Sequence, residues 1–437
     1  MASTVAPGSV ISDPVEPPRR NLFSGPGLLF ALSMLGPAGL VSNVTIGATQ
    51  GYRLLWVLAL VLALRFVWLS TSARYVLVTG ESLLSGFGRL GRWIPWSVLA
   101  SLLVSRHLSN LYKVLLMGAA AQILLPLPGQ WGTVVWSLIF VTAGFVLMTR
   151  RVKTLDRWCR PMIASMGFAL TIATALSHPD FPALMRGLFL PLIGGGNGGY
   201  GAVLLITALI GAEAGAVDNA SYTYFLSQRG WAVNSFLRRQ RLDLLMSLGC
   251  VFAMDAMLQI AAAGTLLPAH LVPHKAEDLI PVFSAALGVA GRIIFAFGLW
   301  AVCFSGFVAG TTGSSLIAAD IWGSSRPFKH QRDQARTGQP PDGKSAKTRF
   351  YLIAFWCFSP LYILLTHVQP VWLVLVVSSL KALLIPGMAI ALLVISNDRQ
   401  RLGEYRNGPF TNAALGLLIL STLYFSVRNA VELIHRL

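Results

Sequence analysis

The residues able to do chemistry are few, and they lie in apolar surroundings. Three acids, Glu213, Asp218 and Asp255, fall inside long hydrophobic runs, as do the basic residues Arg65, Arg106, Lys113 and Lys381 and the imidazole of His107. A charge in such a run is costly, so it is kept where it binds an ion, relays a proton or pairs with another charge. In an unbroken helix Gly211, Gly215, Asp218 and Tyr222 share a face, while Glu213 points nearly opposite. A break near Gly215 would turn both carboxylates toward one cavity. Glu213 and Asp218 then read as a cation, metal or proton site. The competing reading is that each carboxylate pairs with a nearby base and only ties helices together. Arg106, Asn110 and Lys113 recur at i, i+4 and i+7 with His107 at the edge of the stripe. With Asp218 and Lys381 they form a candidate proton or coupling path, His107 being able to change charge near neutral pH. Equally, His107 reads as a hydrogen-bonded core histidine. Lys381 is either the partner of an acid or a fixed positive charge facing the substrate, and near a cavity it repels a divalent cation unless paired.

The elements that must hold these groups are membrane helices. Of 437 residues 55% are hydrophobic and 12% charged, about half the roughly 25% charge of a soluble domain. With a mean hydropathy of +0.65, that composition excludes a disordered chain and argues against a soluble enzyme. A crossing helix needs about 20 mostly apolar residues. Eleven segments qualify, at about 26–47, 54–77, 94–124, 131–149, 161–177, 200–226, 242–268, 289–318, 349–367, 371–395 and 411–430. They are longer than the roughly 10-residue alternating runs of a membrane barrel, so an all-α integral membrane protein with 11 transmembrane helices is expected. The net charge of +17 would suggest nucleic acid in a soluble protein. Here, with the N-terminus inside, 23 Lys and Arg fall in cytoplasmic segments and 3 in outer loops. The asymmetry predicts a cytoplasmic N-terminus, an outer C-terminus and a plasma (inner) membrane location, with no nucleic-acid partner. Residues 1–23 read as a disordered cytoplasmic tail with no cleavable signal, 24–430 as one transmembrane domain, and 323–348 as a flexible cytoplasmic loop.

Two spans are interrupted. The first carries Gly36-Pro37-Ala38-Gly39 in mid-membrane, and the sixth carries Gly211-Ala212-Glu213-Ala214-Gly215-Ala216. Pro removes a helix hydrogen bond and Gly weakens what remains. Each break opens a five-helix half, which suggests inverted repeats over about 24–180 and 195–395 with a binding site between them and an extra helix at 411–430. The site is then expected to draw on Gly36, Pro37, Gly39, Asn43, Glu213, Gly215 and Asp218. The Gly, Ser and Thr run from Ser305 to Ser315 is expected to pack helices closely. No phosphate-binding lysine loop and no zinc spacing occurs, so no cofactor is implied. Cys159, Cys250, Cys303 and Cys357 have no paired spacing and read as small hydrophobes.

Gly25-Pro26-Gly27-Leu28-Leu29, the interrupted helix and Gly47-Ala48-Thr49-Gln50-Gly51-Tyr52-Arg53-Leu54-Leu55-Trp56-Val57 resemble the start of the NRAMP divalent metal-ion transporters. Ser72-Ala73-Arg74, Val78-Thr79-Gly80, Asp243, Thr311-Thr312-Gly313 and Ser396-Asn397-Asp398-Arg399 before Gly403-Glu404-Tyr405 extend the match. The resemblance implies a leucine-transporter-like 5+5 inverted repeat plus one helix, and a proton-linked secondary transporter of divalent metals, not an enzyme. It also implies rocking of spans 1, 2, 6 and 7 against the rest. The departures fall at the ligands. The family's Asp-Pro-Gly-Asn aligns with Gly36-Pro37-Ala38-Gly39, its Met-Pro-His with Gly215-Ala216-Val217, and its acidic proton-path residues with the region of Tyr112 and Lys113. Two substrates therefore stay open. One is a divalent cation in a hard-oxygen site of Glu213, Asp218, Asn43 and backbone carbonyls. The other is a small organic anion or other non-metal solute, held by half-helix N-termini with Lys113 or Lys381. A non-transporting sensor or scaffold is the third reading. The partners expected are the lipid bilayer and a small-molecule or ion substrate.

Overall fold

The computed structural model describes residues 36–129, 131–149, 167–193, 200–215, 217–228, 231, 234–323, 343–366 and 368–436. The predicted tail at 1–23, the upstream half of span 1 and most of the loop at 323–348 lie outside them. Everything described is helix, turn or loop, and no strand occurs among the described residues.

Chain order gives α1 Pro37–Gln50, α2 Leu55–Thr79, α3 Trp93–Leu124 and α4 Gly132–Thr149, then a short apolar helix, α5, at Gly167–Leu176. The second half runs α6 Ala202–Glu213, α7 Ala220–Gln228, α8 Leu237–Thr265, α9 Pro281–Gly323 with a non-helical kink at Gly288, α10 Gly343–Phe358, α11 Pro370–Ala382, α12 Ile385–Ser396 and α13 Pro409–Arg436. Eight of the described helical stretches are long and apolar enough to cross a bilayer, α6 and α7 counting as one and α11 and α12 as another. α1, α3 and α5 occupy the three other expected spans: α1 and α5 are short within the described residues, and α3 carries the polar stripe. α10 begins at Gly343, inside the predicted loop, and ends where Pro360 forces the chain into a 3₁₀ turn over Ser359–Leu365.

The interruptions follow from residue type. Pro37 stands in the first turn of α1, where its missing N–H costs nothing, behind an extended Gly36. α6 ends at Glu213, and Gly215 turns with φ of 48°, a left-handed conformation that a side chain would strain. The chain resumes through a 3₁₀ turn at Val217–Asn219. A third interruption, between α11 and α12, divides span 10, which the sequence reading takes as continuous. Pro386 explains it, since it has no N–H for the Ala382 carbonyl and its ring crowds that oxygen.

The core surrounds these breaks. All fourteen residues of α1 are buried, as are Val203 to Gly211 of α6. α8 lies along α1, α11 along α6, and α9 along α3. Large apolar side chains face outward on the periphery, with Val289 of α9 at 76% exposure and Leu420 of α13 at 67%, as lipid contact requires. Among the cysteines, Cys303 and Cys357 are buried and Cys250 is exposed; none of the three is in a disulfide, and Cys159 lies outside the described residues.

Candidate functional site

The three interrupted spans converge on a cavity of about 50 Å³. The first turn of α1 supplies Gly36, Ala38 and Gly39, α3 supplies Arg106, Tyr112 and Lys113, and the α6–α7 break supplies Ala212, Asp218, Ser221 and Phe225. α9 adds Gly306, Ala309 and Gly310, and the last turn of α11 adds Lys381.

Asp218 sits between two cations. It accepts from Arg106 Nη2, and Lys381 Nζ stands 3.1 Å from its other oxygen. Arg106 is fixed further by Nε donating to Ser314 Oγ at 2.8 Å. Lys113, about two turns further along α3 on the same wall, donates to the Gly306 carbonyl at 3.0 Å and makes no ion pair with a carboxylate among the described residues. The cavity thus holds three basic side chains against one acid. The N-terminus of α1 opens on it as well, and its first N–H groups have no partner within the helix. Each term raises the local potential, so the cavity attracts anions and repels free cations.

The polar stripe of α3 divides. Arg106 and Lys113 face the cavity. Asn110 instead donates to Thr311 Oγ1 at 3.2 Å and to the Trp356 carbonyl at 3.0 Å, which ties α3 to α9 and α10. His107 lies elsewhere, with Nδ1 2.8 Å from Ser359 Oγ and its ring stacked near Phe355 and Tyr362.

Glu213 and Asn43 do not line the cavity. Glu213 is buried with its Oε2 3.7 Å from Arg65 Nη1, and Asn43 donates to the Gly39 carbonyl at 3.0 Å. The break does not bring Glu213 and Asp218 together: each has its own cation. Arg65 also donates from Nε to Asn219 Oδ1 at 3.2 Å, while Asn219 Nδ2 donates to the Ala214 carbonyl that the break exposes. Asn219 therefore seals the end of α6, a role that backbone unpaired at this depth demands. No cluster of three or more His, Cys, Asp or Glu able to hold a metal occurs among the described residues. Sequence reasoning missed Asn219 and Ser221, and read Ser314 only as part of a helix-packing run. Only the break next to Asn219 hinted that a side-chain cap was needed there.

The likenesses to known proteins agree with this architecture. Residues 27–432 match the profile described as Nramp: Natural resistance-associated macrophage protein-like. A "Divalent metal cation transporter MntH" of Aeromonas hydrophila is 23% identical over 409 residues, covering 90% of this chain and 92% of that one. The protein of the same name from Deinococcus radiodurans is 25% identical over 321 residues, 70% of each chain. Among solved structures, a manganese transporter of Eremococcus coleocola superposes with a TM-score of 0.67 at 17% identity, covering 93% of this chain and 85% of that one. Mhp1, a nucleobase-cation-symport-1 family transporter with bromovinylhydantoin bound, superposes with a TM-score of 0.55 at 11% identity over 92% and 90% of the two chains. The profile covers nearly the whole chain, all three interrupted spans included: this chain belongs to the Nramp family of multi-pass membrane transporters.

Proposed function

We propose that this transporter carries a small organic anion, coupled to protons, through the cavity at the helix breaks. The observation that carries the reading is the charge of the site, with Arg106, Lys113 and Lys381 set against Asp218 alone. A carboxylate entering from water would take the place of the Asp218 carboxylate on Lys381 and Arg106, and would meet Lys113 and the N–H groups at the start of α1. Asp218 acts as an internal counter-ion that keeps Arg106, Lys113 and Lys381 from standing as three uncompensated charges in a low dielectric. Gly36 and Gly39 line the cavity at the positions where the family's motif places ligands.

A second reading is a divalent cation, as the names of the two bacterial relatives state for those proteins. It draws on Glu213, Asp218, Asn43 and backbone carbonyls as hard oxygens. Both carboxylates are occupied by cations here, which weighs against it. A thermal-shift and uptake comparison on purified protein decides between the two, with manganese, magnesium and small carboxylates offered side by side. Stabilisation and uptake of a carboxylate with no response to metal is expected. Micromolar binding of manganese or magnesium would eliminate the anion. In the membrane we place the N-terminus in the cytoplasm and the C-terminus outside, on the distribution of basic residues.

A further inference from the structure

Away from the cavity, a second set of buried groups has no role in holding an anion. Glu213, at the end of α6, and Asp255, in the middle of α8, are 1% and 2% exposed. They meet across α1. A Cβ added at Gly39 would strike Glu213 Oε1 and lie 3.6 Å from Asp255 Oδ1, so the two carboxyls flank that one glycine. The charged and titratable groups facing the pair from the packed elements are Arg65 of α2, Lys381 of α11 and Asp218 of the α6–α7 break. Arg106 and Lys381 share Asp218, and Arg65 is the cation next to Glu213. Two ionised carboxylates flanking one glycine would repel each other in a buried membrane site, and a single proton removes that repulsion.

The hydrogen bonding also asks for that proton. Glu213 Oε2, Asp255 Oδ2 and Asn43 Oδ1 are fully buried acceptors, and none accepts a hydrogen bond within the described residues. Asn43 lies against the Asp255 carboxyl, and its Nδ2 donates to the Gly39 carbonyl at 3.0 Å. Arg65, the neighbouring donor, has Nη1 3.7 Å from Glu213 Oε2, beyond hydrogen-bond distance. A protonated carboxyl supplies one O–H without any new residue.

We propose that Glu213 and Asp255 form a proton-binding site, one proton being held by the pair, and that this pair is where transport is coupled to the proton. The proposal rests on the chain being a transporter but on neither substrate. The proton comes from water to one carboxylate oxygen and returns to water from it; no other bond changes. The acids stand on α6 and α8 and their divider Gly39 on α1, so any movement of α1 or α6 relative to α8 separates the pair and alters its hold on the proton. The site lies beside the cavity and away from the α3 stripe.

Infrared difference spectroscopy on the full-length protein tests this without substrate, by stepping pH in choline chloride buffer in H₂O and in D₂O. A protonated-carboxyl band that shifts in D₂O and is lost on going to alkaline pH is expected, and Glu213→Gln and Asp255→Asn should each abolish it. A band that survives both variants, or no band at any pH, overturns the proposal. So does loss of the band on replacing choline by sodium at constant pH, since the pair would then hold a metal cation. Should neither carboxyl variant fold, Asn43→Ala decides: a band moved in frequency supports the shared hydrogen bond, and an unmoved one refutes it. A carboxylate-binding test that fails leaves this result untouched, and the reverse also holds.

Discussion

At the scale of single residues the chain has exchanged ligand atoms for charges. Lys381 is expected to be needed for anion binding: Lys381→Met should weaken the thermal shift given by a small carboxylate at least about tenfold in apparent affinity, the loss of one charge-assisted hydrogen bond. An unchanged affinity would remove Lys381 from the site. Gly39→Ala should be destabilising by roughly 1–3 kcal/mol, because its Cβ meets Glu213 in a packed interior, and transport should fall with it; a melting temperature equal to that of the parent would show that α1 and α6 part freely. The buried charges themselves were legible in the sequence, since each interrupts an apolar run. Their partners were not. Whether Asp218 meets Lys381 or Glu213 depends on how α11 and α6 pack, and residues 163 positions apart carry no local signal of that choice. Asn110 and His107 show the same limit: their spacing placed them beside Arg106, but their hydrogen bonds are made to other helices.

At the scale of elements, two breaks were readable because Gly and Pro cluster there, and one was not. Pro386, with Gly387 after it, sits in an otherwise apolar stretch, and the crowding of its ring against the Ala382 carbonyl is what ends α11. That end is what places Lys381 at a helix terminus over the cavity. Pro386→Ala should therefore lengthen α11, raise or leave unchanged the melting temperature, and lower anion binding, as checked by thermal shift with and without carboxylate. Gly215→Ala should cost roughly 1–2 kcal/mol for the left-handed backbone it must keep, measured by the temperature of unfolding in detergent. A cost near zero would mean that the turn at Gly215 relaxes.

At the scale of the whole molecule, the excess of basic residues splits into two populations. Most lie in segments we propose to be cytoplasmic, on which the proposed orientation rests, and a few lie within the apolar helices, where they set the character of the site. The first population makes a direct prediction. In a Cys250→Ser background, Arg436→Cys should label from outside intact cells with a membrane-impermeant maleimide, and Gln334→Cys only after lysis. The opposite pattern would invert the topology. That the chain is a bundle of membrane helices was within reach of hydropathy alone. Which faces they turn to one another was not, because small residues at a crossing and an exposed lipid face look alike in composition.

The contact between Gly39 and Glu213 links two positions 174 apart into one epistatic unit. The carboxylate at the centre of the membrane now enters from the sixth span, and the first span has been hollowed to admit it. An asparagine grafted at position 39 alone would therefore displace the Glu213 carboxylate from its place beside Asp255. Its effect on binding and on proton uptake should then differ between a Glu213 background and one shortened at 213, so the two positions are tested together.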